Sequence, residues 1–301
     1  MATPPSAIAS MIGTVVIPAY NEADVIGPCL SCLLAQDIAH WRVVVVANGC
    51  EDNTSHIAGT FIDRFAQANA ELHVTDLPDG HKPSALNTGD THAVGQIRVY
   101  MDADVRMQYG CLAAMTRSLS NAIHACFPTV VYEPNRSIIA MLHWRTWRTL
   151  TNSTTDSVVG NCIALSIEGR SRWSTFPDLI SDDGFMISRF AKQERTVAPD
   201  AVAHTRLPST FREIVGVRAR WRAGHRQLAD RVGKLNVERA QLARIGTNPV
   251  AMLGLPVFAV ATYLARREAS FILSKPAPAW YQARSSRKSA SNRAGSSKYQ
   301  L

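Results

Sequence analysis

The chain has 301 residues, 46% apolar and 19% charged, with a formal net charge of +8. That length buries a sizeable core, and that balance excludes a disordered or fibrous chain. The positive surplus suits nucleic acid, an anionic membrane or a phosphorylated ligand, but no long basic stretch is interleaved with aromatics, which argues against nucleic acid.

The first residues, MATPPSAIASM, lack a charged leader and a continuous apolar run, so no secretory signal is read and residues 1–12 are expected to be flexible. The next stretch alternates two patterns. TVVIPAY (14–20) and WRVVVVAN (41–48) are short, β-branched and mostly apolar, the mark of strands buried on both faces of a parallel sheet. ELHVTDL (71–77) and IRVYMDA (97–103) are weaker members of the same series. Between them Glu22–Gln36, Asn53–Asn69 and Lys82–Val94 carry helical spacing, with turn residues at NGCEDN, LPDGHKP and DADV. The first of these helices holds Cys29 and Cys32. No second CxxC or paired histidines complete a zinc set, so the six cysteines read as core residues in a reducing cytosol.

Alternating strands and helices predict an open, doubly wound α/β sheet, which binds ligands beyond the carboxyl ends of its strands. Those ends are PAYNE (18–22), ANGCEDN (47–53), DLPDGHK (76–82) and DAD (102–104), all polar and each carrying a carboxylate. On one rim they would assemble one cleft. Asp102 and Asp104, at i and i+2 after a strand, suit a metal or phosphate site, or else an ordinary capped strand end.

The second half is less regular. PTVVYE (128–133) reads as an edge strand, MLHWRTWRTL (141–150) as a helix with Trp144 and Trp147 on its core face, and SVVGNCIALS (157–166) as another strand. FPDLISDDGFMISRFA (176–191) puts Asp182 and Asp183 at a helix start, where acids favour the helix dipole. STFREIVGVRARWRAGHRQLADRVGKL (209–235) is a long basic helix, and the Ser- and Arg-rich tail after Pro278 reads as disordered. From Ile245 to Ala265, 21 residues carry no charge, the length of a membrane span. Asn248, Pro249, Gly254, Pro256 and Thr262 interrupt it, so a core or interfacial helix is expected instead.

In order, TVVIPAYNE, VVVVANGCEDNT, GHKPSALNTG, YMDADV, SDDGFMISRF and RARWRAG resemble the signature of glycosyltransferase family 2, the inverting nucleotide-sugar transferases of the GT-A fold. The resemblance runs from Thr14 to Gly224. It implies an α/β, mostly parallel GT-A sheet flanked by helices, with a helical C-terminal appendage. The catalytic domain would span 13–235, with a nucleotide-binding half to 106 and an acceptor-side half from 107. A membrane-associated helical segment (236–275) and a disordered basic tail (276–301) would follow.

The resemblance also assigns roles. Asp104 would ligate Mg2+ or Mn2+, with Asp102 facing the ribose or diphosphate; Pro18, Tyr20 and Glu22 match base and ribose contacts. Where the family has an aspartate pair at the second strand end, Ala47 and Asn48 stand here. Asn48 can accept a base N–H but also donates, which leaves the base open. Lys82 and Asn87 would steady the phosphate or ribose. Asp183 maps to the general base, with Asp182 in place of the preceding glutamate. His204 stands where some relatives complete the metal shell. Arg220 and Trp221 match a pair that meets the diphosphate and a sugar face. Val217 replaces the family's glutamine, which favours single addition over processive synthesis.

The expected partners are a nucleoside-diphosphate sugar and a glycan or lipid-linked acceptor, with peripheral contact at the cytoplasmic face of a membrane and no nucleic acid. Two other classes compete. A nucleotidyltransferase would carry a Gly-rich basic loop after the first strand, whereas PAYNEAD has neither glycine nor base. A non-catalytic nucleotide-sugar-binding module would have lost an acid at 104 or 183, and both are present.

Overall fold

The computed structural model describes residues 11–134, 137–151, 161–232 and 248–274. Its strands are β1 (Gly13–Ala19), β2 (Trp41–Asn48), β3 (Glu71–Leu77), β4 (Ile97–Met101), β5 (Arg106–Met107), β6 (Ala125–Tyr132), β7 (Cys162–Ser166) and β8 (Arg195–Thr205). They form one sheet in the order β3-β2-β1-β4-β7-β6-β8-β5. Its helices are α1 (Ile26–Leu34), α2 (Thr54–Gly59), α3 (Ile62–Gln67), α4 (Lys82–Thr91), α5 (Cys111–Arg117), α6 (Ile138–Thr151), α7 (Ile167–Arg170), α8 (Asp182–Ser188), α9 (Phe211–Val232), α10 (Pro249–Leu253) and α11 (Leu255–Leu273).

The first half follows from the apolar runs. β1 to β4 are mutually parallel, with Ala19 beside Ala47 and Ala47 beside Asp76, so their carboxyl ends finish level. Successive residues serve opposite faces: Val15, Ile17, Val43 and Val45 pack into one core with α1, while Val16 packs with Leu86, Tyr100 and Phe127 on the other side. A strand clothed on both faces needs a continuous apolar run, which is what 14–20 and 41–48 supply. Beyond β4 the sheet turns antiparallel at β7, and β5 closes the far edge against β8.

Three expectations are corrected. β6 is not an edge strand: it lies between β7 and β8, pairing antiparallel with one and parallel with the other. The helix expected over Asn53–Asn69 is two short helices. Gly59 weakens the helix there, and Thr60 turns its hydroxyl back to the Ile57 carbonyl at 2.7 Å. The uncharged run from Ile245 likewise bends at Gly254 between α10 and α11, where a Cβ would collide with Thr146 and the Leu142 carbonyl of α6. Among the described residues no helix is long and apolar enough to cross a membrane. Instead α11 packs along α9 through Ala261, Ala265 and Ala269, one every turn. The strand over 157–166 is present from Cys162; its first part, the N-terminal segment to residue 10 and the tail after Pro278 lie outside the described residues.

Candidate active site

The level strand ends deliver the rim. Pro18 is buried within β1, past Val16, the last β1 residue paired with β4. Tyr20 follows and lays its ring over Gly80. Glu22 is buried, and its backbone N–H donates to Thr54 Oγ1 at 2.7 Å, fixing the turn into α1. After β2, Gly49 takes a φ of +67°, and a side chain there would strike the Gly80 backbone. The two loops therefore touch because position 49 is glycine.

Asn48, fully buried at the end of β2, accepts the His81 N–H at Oδ1, 3.0 Å away. That bond assigns the amide, because the N–H needs an oxygen. Its Nδ2 has no partner among the described residues. Of the two roles expected of Asn48, accepting from a base and donating to one, His81 uses one lone pair of the oxygen and the amide nitrogen stands as a donor. His81 then caps α4, its Nδ1 accepting from the Ser84 N–H, which places the ring proton on Nε2 facing Asp178 Oδ1 at 3.0 Å.

Lys82 opens α4 and joins two distant motifs. Its Nζ lies 2.8 Å from Asp102 Oδ1 and 3.0 Å from Asp182 Oδ2. Burial favours loss of the lysine proton, but Asp102 and Asp182 outweigh it and hold the pKa above the ordinary lysine range. Burial pushes the Asp182 carboxyl from 3.8 up to about 6; Lys82 opposes that shift, while Asp183 and Asp102 add to it. The two shifts differ in what they favour because one ammonium gains two partners, whereas Asp182 shares its cation and faces two other acids.

Asp183 sits in the first turn of α8. Its Oδ1 accepts from Ser181 Oγ at 2.8 Å and from the Gly184 N–H at 2.7 Å. The approach to this doublet is held at three points: Asn87 exchanges two hydrogen bonds with the Phe176 backbone, Asp178 meets His81, and the Ile180 N–H donates to Gln227 of α9 at 3.0 Å. Gly224 lets α9 come against Ser181. Asn87, expected at the donor, holds the loop here. His81, Asp178 and Gln227 were missed by sequence reading, for their signal is tertiary: each bonds a residue at least 47 positions away.

Asp104 lies in the turn between β4 and β5, half-buried, two residues before Arg106, whose register partner is His204. Beneath the rim, the Cys29 thiol is pushed well up by burial, then by Cys32, Asp104, Glu22 and Asp102. His204 is half-buried; burial and the Arg106 charge lower its pKa, so at neutral pH its imidazole is uncharged and able to ligate. Glu133 pairs with both Arg106 and Arg206. Among the described residues no three His, Cys, Asp or Glu side chains form a ready-made ion cage. The donor set nonetheless suits Mg2+ or Mn2+, which take one or two protein ligands and fill their shell with phosphate oxygens.

The last predicted pair falls on α9. Arg220 is half-exposed, while Trp221 packs against Trp144 and Trp147, with ring centroids 6.1 and 5.7 Å away. The structure thus gathers Asp102, Lys82, Asp182 and Asp183 in one cleft and seats Trp221 in an aromatic cluster.

The family description "Glycosyl transferase family 2" matches residues 14–167, just over half the chain, covering the parallel strands, α4 and the Asp102–Asp104 corner. The chain belongs to that family. Among solved structures it resembles the mannosyltransferase PcManGT of Pyrobaculum calidifontis, seen in complex with GDP-Man and Mn2+: TM-score 0.57, 25% identity, 87% of this chain and 81% of that one. The sheet is the GT-A fold of these family 2 proteins. Curated relatives include glycosyltransferase AglE of Haloferax volcanii, 37% identical over 93 residues, and the uncharacterized glycosyltransferase EpsJ of Bacillus subtilis, 29% over 91 residues. Each match covers 30% of this chain, and 30% and 25% of the respective relative.

Proposed function

We propose that this family 2 protein transfers a sugar, with inversion, from a nucleoside-diphosphate sugar to the hydroxyl of a lipid-linked or polysaccharide precursor, one residue per acceptor. The observation that carries this reading is the Lys82 bridge, which ties the Asp102–Asp104 corner to the Asp182–Asp183 doublet in one cleft. A diphosphate corner and a proton acceptor on opposite sides of a reacting carbon are what a single displacement needs. Residues 13–235 would form the catalytic unit, and work at the cytoplasmic face of a membrane fits the basic C-terminal helices.

In this reading Tyr20, Glu22 and Asn48 seat the nucleoside, and Lys82, freed from one carboxylate, meets the diphosphate with Asp102. Asp104, with His204, would hold Mg2+ or Mn2+, which supplies Lewis-acid stabilisation of the leaving diphosphate. Asp183 takes the acceptor proton on Oδ2, since Oδ1 is held by Ser181 and Gly184. The acceptor oxygen bonds the anomeric carbon as the bond to the diphosphate breaks, and Arg220 accompanies the departing charge.

The test is a nucleotide-sugar panel with Mn2+, read by mass spectrometry for sugar release and transfer. Asp183→Asn should lose about 100-fold or more in turnover while still binding donor, the usual worth of a general base. Undiminished turnover in Asp104→Ala would overturn the reading.

A further inference from the structure

The helical layer made by α6, α9, α10 and α11 differs from the rest of the chain in two respects. The first is charge: it holds ten arginines, no lysine and three acids, a net +7 against +8 for the whole protein. Arg218 is turned inward, onto His143, Thr262 and the Phe258 ring, while Arg226 reaches Ser270 of α11 and Arg222 feels the charges of Arg266 and Arg226. The second is exposed apolar surface. Leu253 at the α10–α11 corner is 71% exposed, and on α11 Val260, Tyr263 and Phe271 are 52%, 60% and 63% exposed; Ile138, opening α6, is 70% exposed. On α11 these three side chains lie opposite the buried alanine stripe, with Arg267 among them. The Gly254 corner seats on Leu142 and Thr146 of α6, and Met252 of α10 and Met141 of α6 are exposed as well.

An outward face that combines large apolar side chains, an amphipathic tyrosine, and Arg266 and Arg267 against the single acid Glu268, with Arg222 and Arg226 of α9 alongside, has the chemistry of a helix lying in the headgroup region of an anionic bilayer. A second copy of the same face would set Arg266 and Arg267, and the α9 arginines beside them, against their own copies. We propose that α10 and α11, with the start of α6, form a peripheral docking face for anionic lipid. This deepens the reading of a membrane-borne acceptor, but it stands on surface chemistry alone and needs no transfer activity.

The test is co-sedimentation of the full chain with vesicles of phosphatidylcholine alone or mixed with phosphatidylglycerol, without donor or acceptor. Binding is expected only to the mixed vesicles and should fall in high salt, since the arginines act through screened attraction. The double variant Val260→Ser/Tyr263→Ser touches no core contact and should bind more than about tenfold more weakly, the loss expected for two apolar anchors. Arg266→Glu/Arg267→Glu should lose the preference for anionic lipid. Equal binding to both vesicles, or none to either, overturns the proposal. So does concentration-dependent dimerisation abolished by Val260→Ser/Tyr263→Ser, which would give the face to a second copy. Circular dichroism establishes that each variant is folded. Because no sugar nucleotide is present, failure of the transfer reading leaves this result intact, and the reverse holds too.

Discussion

Lys82 and Asp182, 100 positions apart in sequence, form an ion pair of 3.0 Å in which the carboxylate side chain is 9% exposed and the lysine 19%. Asp102 takes the same ammonium at 2.8 Å, so one cation neutralises acids from two motifs. Lys82→Met would leave Asp182 buried beside two other acids with no counter-charge. The expected cost is about 3 kcal/mol, the scale for removing one partner of a buried pair, with Asp182 titrating above its present value of about 6. Urea denaturation of the variant measures the first and carboxyl-resolved NMR the second; an unchanged carboxyl titration would mean that the pair does not govern it.

The same carboxyl gives stability a pH dependence with a definite sign. Asp182 is raised from 3.8 to about 6, so between those values the folded protein holds a proton that the unfolded chain has lost. The contribution of this group therefore favours folding at low pH and is withdrawn as pH rises through about 6. Asp182→Asn removes it. Relative to wild type, the melting temperature of the variant should improve from pH 4 to pH 7, read by scanning calorimetry in matched buffers; a relative decline over that range would contradict the assignment.

Asn87 holds the loop that delivers the acidic doublet. Its Oδ1 accepts the Phe176 N–H at 2.7 Å and its Nδ2 donates to the Phe176 carbonyl at 3.1 Å, a two-point clamp across the cleft wall. Asn87→Ala would strip both partners from a half-buried peptide, at about 2 kcal/mol for the unsatisfied pair. Hydrogen exchange should quicken across 174–181 and stay unchanged in β1 and β2. Asn87→Asp keeps the acceptor but sets a carboxylate against the Phe176 carbonyl, and should loosen the same segment.

How much of this was legible in the sequence depended on the range of the forces involved. β1 and β2 were readable because a strand buried on both faces must be apolar throughout, and Asp102 and Asp104 because a parallel sheet sends its strand ends to one rim. The family resemblance located the Asp182–Asp183 doublet. The Lys82 bridge was not readable, since a lysine after a turn looks the same whether solvated or salt-bridged to a residue 100 positions away. Nor was the place of β6: an apolar run reports burial, not which strands lie beside it. Asn87 was singled out, but its clamp on the Phe176 peptide was not readable, because an amide suits a ribose and a loop peptide equally well.

Trp221 tests whether a motif residue acts through substrate or through packing. Its ring lies against Trp144 and Trp147, and Trp144 Nε1 donates to the Pro208 carbonyl at 2.9 Å, fixing the cluster. Trp221→Ala should cost about 3 kcal/mol as a large-to-small change, whereas Trp221→Phe keeps a ring in place and should retain both stability and donor turnover. A Phe variant of full stability with lost turnover would instead put the indole on the sugar.

Asn48 is where the choice of base should be decided. Its oxygen accepts the His81 N–H, and its buried amide nitrogen is left without an acceptor among the described residues. A buried donor with no partner costs about 1–3 kcal/mol, a deficit that a base carbonyl brought by the donor nucleotide would relieve. Asn48→Asp keeps the bond to His81 and replaces that donor with an acceptor. Across a panel of nucleoside diphosphates in calorimetry, wild type should rank highest those bases that present a carbonyl, and the variant should move toward bases presenting an N–H. The variant should also be less stable without ligand, because its second carboxylate oxygen then has no donor. If the ranking of bases is the same in both proteins, Asn48 does not read the base, and recognition falls to Tyr20 and Glu22 on the first strand end.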